Sequence, residues 1–323
     1  MNARRAIFAG LCAALGSLAC ISVPGEGKFV RLASEEAIII WDEGAKREHF
    51  IRRASFDTDA KDFGFLVPTP SKPELGESDD EAFALLARTT AAKPASPVAP
   101  SAVTVLEHKL VAGFDAAVLE ATDAQALDAW LKRNGYPSSP ALVEWVAPYV
   151  AAHWKITAFK IAADSTKVVT SALRMSFQAE KPFFPYREPA VQRPAGDERL
   201  LRLYFVADGP VQGTIGETAQ WVGRAVWSNE IEGGQLAELL KRAKLPSQAG
   251  GGGRWLTEFE DRSSMRAGND DLYFSRAEQR TPIERAPVVR YGMTTYATIL
   301  AVVLIGVGGL IYRRRRRNRR PLG

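Results

Sequence analysis

Residues 37–41 read AIIIW and residues 48–56 read EHFIRRASF, with Gly44 in the short polar segment between them. β-Branched and aromatic residues favour strands, and two such runs joined by a short segment with glycine are typical of an antiparallel hairpin. Comparable runs recur along the chain and predict further strands. They lie at residues 29–33, 63–67, 103–111, 116–119, 154–161, 172–177, 200–207, 221–227, 255–259 and 272–274.

A few short helices are predicted among these strands. Pro148 is expected to kink or end the helix in which it lies, because proline lacks the N–H donor. Residues 235–243 predict a further short helix. The sequence therefore predicts an α+β fold, a mostly antiparallel β-sheet with a few inserted helices. Three helix starts follow from capping residues, namely Ser78 with Glu81, Thr122 with Gln125, and Ser139 with Pro140.

The predicted body spans residues 20–290, which is long enough for one large domain or two ordinary ones. Residues 91–101 are rich in alanine and proline and are interpreted as a loop or linker, so 91–102 is the candidate boundary for a subdivision. The four glycines at 250–253 predict a flexible loop.

The first 19 residues have the three-part pattern of a secretory signal peptide. Arg4 and Arg5 precede an apolar run of about fifteen residues, which is shorter than the roughly 20 that span a bilayer. Ser17 and Ala19 are small residues at the two positions that signal peptidase recognises, and this pattern predicts cleavage before Cys20. Lipid modification of Cys20 stays open as an alternative, although Ser17 occupies the position where lipoprotein signals usually have leucine.

Residues 293–312 read MTTYATILAVVLIGVGGLIY and contain no charge. About twenty residues at a rise of 1.5 Å cover the roughly 30 Å hydrocarbon core, so the segment predicts one transmembrane helix. Seven arginines follow within residues 313–323, and the positive-inside rule assigns this tail to the cytoplasm. The predicted protein is thus anchored in the cell membrane by a single pass, with the body outside and the tail inside.

The formal net charge of +5 comes from the ends of the chain. Nine of the 42 basic residues are Arg4, Arg5 and the seven tail arginines, which leaves 33 basic against 37 acidic residues in between. This balance argues against a nucleic-acid partner for the body. Cys12 and Cys20 are the only cysteines, so the body has no disulfide framework.

Several sequence blocks resemble the bacterial domain of unknown function (DUF) 2330 family, and it is their order along the chain that makes the resemblance specific. The similarity covers roughly residues 25–227. The resemblance implies an exported protein with a signal sequence, often with a C-terminal membrane segment, and it implies no activity. The blocks are AIIIWD at 37–42, DFGFLVPTP at 62–70, LDAWL at 127–131 with NGY at 134–136, FKI at 159–161 and FFPYR at 183–187.

No catalytic, cofactor-binding or metal site is predicted. The chain lacks the nucleophile elbow G-x-S-x-G, the phosphate loop G-x-x-x-x-G-K, the zinc motif H-E-x-x-H and the dinucleotide motif G-x-G-x-x-G. His49, His108 and His153 are far apart in sequence, and isolated histidines are more often surface or core residues than ligands. Asp57, Asp59 and Asp62 do not fit a calcium loop, and a turn is the better interpretation.

The predicted function is therefore that of a membrane-anchored, exported, non-enzymatic binding or interaction module at the cell envelope. Its predicted partners are the lipid bilayer, through residues 293–312, and an envelope protein. The alternative hypothesis is an envelope hydrolase whose site is assembled from scattered polar residues. A deep pocket with converging polar groups would favour that alternative.

Overall fold

The runs AIIIW and EHFIRRASF lie in the two longest strands of the protein and pair with each other, as the sequence predicts. The pairing is antiparallel from Val30 opposite Thr58 to Asp42 opposite Arg47, with an irregularity between Leu32 and Ser34. The computed structural model describes residues 22–24, 30–60, 62–92, 115–136, 138–162, 167–187, 199–263, 266, 270–278 and 280–286.

Sixteen strands and four helices are found within these described ranges. The strands are β1 (Ser22–Pro24), β2 (Val30–Asp42), β3 (Arg47–Thr58), β4 (Asp62–Thr69), β5 (Glu74–Glu77), β6 (Asp115–Leu119), β7 (Lys155–Ala162), β8 (Lys167–Val169), β9 (Leu173–Gln178), β10 (Phe183–Phe184), β11 (Leu200–Ala207), β12 (Val211–Ile215), β13 (Ala219–Gln220), β14 (Arg224–Glu230), β15 (Trp255–Asp261) and β16 (Leu272–Arg276). The helices are α1 (Glu81–Thr89), α2 (Ala124–Arg133), α3 (Pro140–Ala151) and α4 (Gly233–Arg242).

The strands form three sheets. The large sheet has the order β14-β15-β11-β2-β3-β9-β5, with β8 also paired to β3. The second sheet has the order β1-β4-β7-β6, and the third has the order β10-β16-β12-β13. All pairs are antiparallel except β2 with β11, which run parallel from Ser34 opposite Leu200 to Ile40 opposite Val206. The predicted α+β class with mostly antiparallel sheets is confirmed.

The large sheet is buried on both faces, which explains the continuous apolar run at 37–41. Ile39 faces the other two sheets and packs with Phe65 of the second sheet and Phe274 of the third. Ile38 and Ile40 face the opposite way and pack under α1 and α4. The central hairpin is therefore the core of the fold, and alternate residues of one strand belong to two different hydrophobic clusters.

The outer face of the second sheet is covered by α2 and α3. Leu66 and Ile156 of the sheet pack against Leu127 of α2 and Val146 of α3 in a third hydrophobic cluster. The folded part therefore has four layers, with α1 and α4 on one side, two facing sheets in the middle and α2 and α3 on the other side. The third sheet closes one margin of the space between the two facing sheets.

Two of the three predicted helix caps are wrong by one or two residues. Helix α1 begins after Asp80 rather than Ser78, whose hydroxyl donates instead to the carbonyl of Arg242 at 3.4 Å. Helix α2 is capped by Asp123, which accepts from the amide of Ala126 at 2.7 Å. The Asp80 side chain makes no capping hydrogen bond, and Asp79 instead accepts from the amide of Glu81 at 3.0 Å. At α2, aspartate takes the capping role predicted for threonine, because it is at least as good an acceptor for the free N–H groups of a first turn.

The third predicted start is confirmed, because Ser139 caps α3 and Pro140 is its first residue. Pro148 does not end the helix, since α3 continues to Ala151. Pro148 lies in the last turn, where the missing N–H removes a single hydrogen bond. Gly135 follows α2 with φ of 72° and ends that helix as expected.

Other predictions fall outside the described residues. These are the signal peptide at 1–19, the linker at 91–101 beyond Ala92, the strand at 103–111 and the segments 293–312 and 313–323. Within the described ranges, no helix is long and apolar enough to cross a membrane. Among the described residues, those up to Ala91 and those from Asp115 to Glu284 belong to one compact unit, and residues 92, 285 and 286 belong to another. The folded body described above belongs to the first unit.

Candidate functional site

A cavity of about 330 Å³ opens where the parallel strands β2 and β11 end. Because the carboxyl ends of parallel strands meet at the same sheet edge, Trp41 and Ala207 reach this edge together. Trp41, Phe205 and Phe274 form an aromatic lining, and all three side chains are buried against the core. The remaining lining residues are Glu43, Pro182, Ala207, Asp208, Gly209, Pro210, Val211, Ser275 and Arg276.

The rim of this cavity carries two carboxylates, each paired with a cation of the chain itself. Glu43 accepts a hydrogen bond from the indole Nε1 of Trp41 at 2.6 Å and pairs with the ammonium of Lys46. The Lys46 ammonium also lies 5.8 Å from the centre of the Trp41 ring. Hydrogen bonds from Lys46 and Trp41 hold the pKa of Glu43 below its ordinary value. The second carboxylate of the rim, Asp208, forms an ion pair with the guanidinium of Arg276.

A second cavity of about 260 Å³ adjoins the first, since Asp208 lines both. Its lining is more polar and includes the Glu230–Arg254 ion pair, in which Nη2 and Oε1 are 3.2 Å apart. Trp255 contributes an aromatic ring, and its Nε1 donates to the hydroxyl of Ser228 at 2.8 Å. We refer to the two cavities, which share Asp208 in their linings, as the sheet-edge recess. The other lining residues of the second cavity are Gly251, Gly252, Gly253 and Arg280.

Three of the four glycines at 250–253, namely Gly251, Gly252 and Gly253, line the second cavity. Gly250, Gly251 and Gly252 have φ values of 82°, 62° and 78°, which side chains disfavour. A Cβ atom on Gly253 would lie 2.4 Å from the carbonyl carbon of Ala207. The sequence predicts a flexible loop here, and the structure adds that Gly253 allows a close approach to the end of β11.

The C-terminal strap, residues 277, 278 and 280–284, forms the opposite boundary. The amide of Ala277 donates to the carbonyl of Pro210 at 2.9 Å, and Arg280 Nη2 donates to the carbonyl of Asp208 at 3.0 Å. Ile283 exchanges two backbone hydrogen bonds with Ser228 of β14, at 2.7 and 2.8 Å. The strap contributes little apolar contact, because even Ile283 is 40% exposed.

The histidines do not meet in one site. Nδ1 of His49 lies 2.8 Å from the hydroxyl of Ser176 across neighbouring strands, and burial lowers the pKa of His49 to about 4. The same hydroxyl accepts from Arg174 at 2.9 Å. Ser176 is only 1% exposed, so a substrate has no access to its hydroxyl. His153 is exposed at the end of α3 with φ of 60°, and His108 lies outside the described residues.

The acidic residues singled out in the sequence also remain apart from the recess. Asp57 belongs to β3, Asp59 is exposed in the following turn and Asp62 is the first residue of β4. In the described part of the chain, no group of three or more His, Cys, Asp or Glu residues has the arrangement of a metal site.

A buried ionic network lies between the sheets, away from any opening. Glu35 accepts from Arg52 Nε at 2.5 Å and from Arg266 Nη2 at 3.1 Å. Burial opposes the ionisation of Glu35, yet Arg52 and Arg266 hold its pKa below the ordinary value. The Arg266 guanidinium stacks 4.9 Å from the ring centre of Tyr186, whose hydroxyl donates to Asp261 at 2.6 Å. This network joins β2, β3, β15 and the segment after β10, and we interpret it as structural.

Sequence reasoning missed the sheet-edge recess, because its residues come from six separated segments of the chain. The available signals were weak ones. The AIIIW run ends at Trp41, and the tetraglycine run marks a place of close backbone approach. Asp208, Arg276 and Arg280 have no distinguishing pattern in the sequence.

Fold and site together define an α+β protein with two facing sheets and a recess at the sheet edge. The chain belongs to the DUF2330 family, described as an uncharacterized protein conserved in bacteria, whose model matches residues 14–96 and 91–264. The expected resemblance is therefore confirmed.

Comparison with curated proteins gives no match. Among solved structures, the chain is similar to the crystal structure of baculovirus P35, with 7% identity and a TM-score of 0.42, covering 80% of this chain and all of that one. It is also similar to a mutated baculovirus P35 after caspase cleavage, with 8% identity and a TM-score of 0.32, covering 76% of this chain and all of that one. Likeness at this level establishes neither a common fold nor a common function.

Proposed function

We propose that this protein is an exported, membrane-anchored binding module of the bacterial envelope, and that its ligand occupies the sheet-edge recess. The single observation that carries the binding role is the aromatic lining of the first cavity, formed by Trp41, Phe205 and Phe274 beside a charged rim. Binding sites are typically concave, largely apolar and fitted with a few polar groups that orient the ligand.

A hydrolase is the second candidate, favoured by the contact between His49 and Ser176. This contact resembles a nucleophile beside its base. However, the serine hydroxyl is buried and already accepts a hydrogen bond from Arg174. We therefore rank binding above hydrolysis. A fluorophosphonate probe that labelled Ser176 in the native protein would reverse this ranking.

The anchoring part of the proposal is supported by the sequence. Transfer of the uncharged residues 293–312 into lipid is favourable, and the arginines that follow are retained by the anionic cytoplasmic leaflet. The apolar run behind Arg4 and Arg5 supports export through a cleaved signal peptide.

The binding role is tested by a ligand screen on three forms of the full-length protein. Ser275→Trp places a large ring at the exposed edge of the first cavity, and Ser247→Trp introduces the same ring at an exposed site outside both linings. The panel contains amino acids, short peptides, saccharides and phospholipid headgroups, and the measurement is the melting temperature.

We expect at least one class to stabilise the wild type and Ser247→Trp but not Ser275→Trp. The binding proposal fails if no class stabilises the wild type, or if Ser275→Trp responds equally. Mass spectrometry of the same mixtures decides between binding and hydrolysis, because conversion of the stabilising compound would identify an enzyme.

Anchoring is tested by fractionation of cells that express the full chain. The protein should stay with the membrane through washes with high salt and with alkaline carbonate, and deletion of 293–323 should release it. Protease added outside intact spheroplasts should digest the body and leave the arginine-rich tail protected. Release by mild salt alone, or digestion of the tail from outside, would contradict the proposed topology.

A further inference from the structure

Both carboxylates on the rim of the first cavity pair with positive groups of the chain itself. The carboxylate of Asp208 pairs with the guanidinium of Arg276, and its backbone carbonyl accepts from the guanidinium of Arg280. Gly209 leaves room for this arrangement, because a Cβ atom there would lie 3.1 Å from Arg280 Nη2. Asp208 lines both cavities, so two guanidinium groups converge on the corner that the cavities share.

The other carboxylate of the rim shows the same preference. Glu43 holds the ammonium of Lys46, which lies within 5.8 Å of the centre of the Trp41 ring. A carboxylate beside an electron-rich aromatic face is the general environment that proteins use to bind organic cations. Each acid of the first cavity therefore has a cation of the chain in the place that a positively charged ligand would take.

These internal pairs are suited to exchange with a ligand. The side chains of Asp208 and Arg276 are 56% and 58% exposed, and those of Glu43 and Lys46 are 58% and 47% exposed. Exposed ion pairs contribute little to stability, because water screens them and both side chains lose freedom when they pair. Arg280 is exposed on the strap, so its hydrogen bond to the carbonyl of Asp208 also lies within reach of water.

We infer that the sheet-edge recess binds an arginine side chain of a peptide partner, and that Arg276 and Arg280 occupy its acceptors in the free protein. The guanidinium of the partner takes the place of the chain's own at Asp208, and the apolar stem of the side chain lies along the aromatic lining. A planar, weakly hydrated guanidinium fits this corner better than a compact ammonium. This inference rests on the proposed binding role of the same recess and adds the chemical class of the ligand.

The experiment compares two matched probes by isothermal titration with the full-length protein. N-acetyl-arginine amide carries the guanidinium, and N-acetyl-citrulline amide has nearly the same shape without the charge. We expect the arginine probe to bind at least about tenfold more tightly, since a charge-assisted hydrogen bond is lost with citrulline. Equal affinity of the two probes overturns the inference.

Three variants test the internal competition. Asp208→Asn should remove the preference for arginine. Arg276→Gln should tighten binding of the arginine probe about two- to fivefold, because one internal competitor is gone. Arg88→Gln is the control, since Arg88 is exposed on α1 and lines neither cavity, and it should bind as the wild type does.

The inference is wrong if Arg276→Gln weakens binding, or if Arg88→Gln tightens it equally. It is also wrong if the lysine probe N-acetyl-lysine amide binds more tightly than the arginine probe. Should another class from the screen bind the recess while arginine does not, this inference falls and the proposed binding role stands. Should nothing bind, both fall together.

Discussion

Arg52 Nε lies 2.5 Å from Oε1 of Glu35 across the central strand pair, and both side chains are almost fully buried. Breaking a buried ion pair is costly, because the remaining charge keeps its desolvation penalty. We expect Arg52→Met to lower the free energy of unfolding by about 3 kcal/mol, the lower end of the usual range, since Arg266 still contacts Glu35. Urea denaturation measures this loss.

The neighbouring residue supplies the control for that experiment. Arg53 pairs with Glu36 on the other face of the same strands, where both side chains are partly exposed. Arg53→Met should cost less than about 1 kcal/mol. Equal losses for the two variants would show that the buried network is not what stabilises the central hairpin.

Glu48 should make the protein less stable as the pH rises. Its carboxyl is fully buried with one hydrogen bond, from the amide of Phe183 to Oε2 at 2.9 Å, and burial raises its pKa well above the ordinary 4.5. Above pH 4.5 the unfolded chain releases this proton first, so the free energy of unfolding falls by up to about 1.4 kcal/mol per pH unit until the folded pKa is reached.

Glu48→Gln should abolish this decline, because the amide does not ionise. We expect the variant to exceed the wild type in stability at pH 8 by more than it does at pH 4, as measured by urea denaturation at both values. Glu278→Gln, at an exposed position on the strap, is the control for the loss of one carboxylate. An unchanged pH dependence in Glu48→Gln would mean that Glu48 is ionised in the fold.

His49, in contrast, should make the protein less stable as the pH falls. Burial lowers its pKa to about 4 from the ordinary 6.5, so the unfolded chain takes up this proton first as the pH falls. Stability attributable to His49 is thus complete above pH 6.5 and is lost progressively down to about pH 4. In NMR spectra the His49 ring should titrate near pH 4, and His49→Gln should remove this part of the acid sensitivity.

His153→Gln is the matched control, since His153 is exposed at the end of α3. It should leave the acid sensitivity as in the wild type. A His49 ring that titrates near 6.5 would show that the contact with Ser176 is open to water, and this would revive the hydrolase hypothesis.

Two glycine substitutions should differ sharply in effect. A Cβ atom on Gly253 would meet the backbone of Ala207 at 2.4 Å, and the backbone has little room to move there. Gly253→Ala should therefore cost about 2–3 kcal/mol. Gly234 lies in the first turn of α4 with open space around its Cα, so Gly234→Ala should be neutral or stabilise by about 0.5 kcal/mol. Thermal unfolding compares the two; equal effects would contradict the close packing of the tetraglycine loop.

The strands of the large sheet could be predicted from the sequence, because burial on both faces gives nearly continuous apolar runs such as that at 37–41. The pairing of β2 with β11 could not, since its residues are more than 160 positions apart and apolar runs do not specify partners. The recess forms where this parallel pair ends, so its position could not be predicted from the sequence either.

The tryptophans show a second limit of sequence reasoning. The sequence predicts one strand over residues 221–227, which would place Trp221 and Trp227 on the same face, but the observed strand begins only at Arg224. Trp221 precedes β14 and packs between the sheets, where its indole donates to Asp261 at 3.1 Å. Trp227 lies on the other face, under α4. Gly223 permits the turn, because a Cβ atom there would lie 2.2 Å from the Trp221 ring, and a register shift follows within β14.

The indole resonances of the seven tryptophans test the binding role of the recess most directly. Full-length protein labelled with ¹⁵N-tryptophan would be titrated with N-acetyl-arginine amide and with any compound that stabilises the protein in the screen, with assignments from single Trp→Phe variants. Trp41 and Trp255 line the two cavities, whereas Trp130 and Trp145 lie on α2 and α3. We predict saturable shifts at Trp41 and Trp255 while Trp130 and Trp145 stay unmoved; larger shifts at Trp130 or Trp145, or none at Trp41, would contradict a ligand site at the sheet edge.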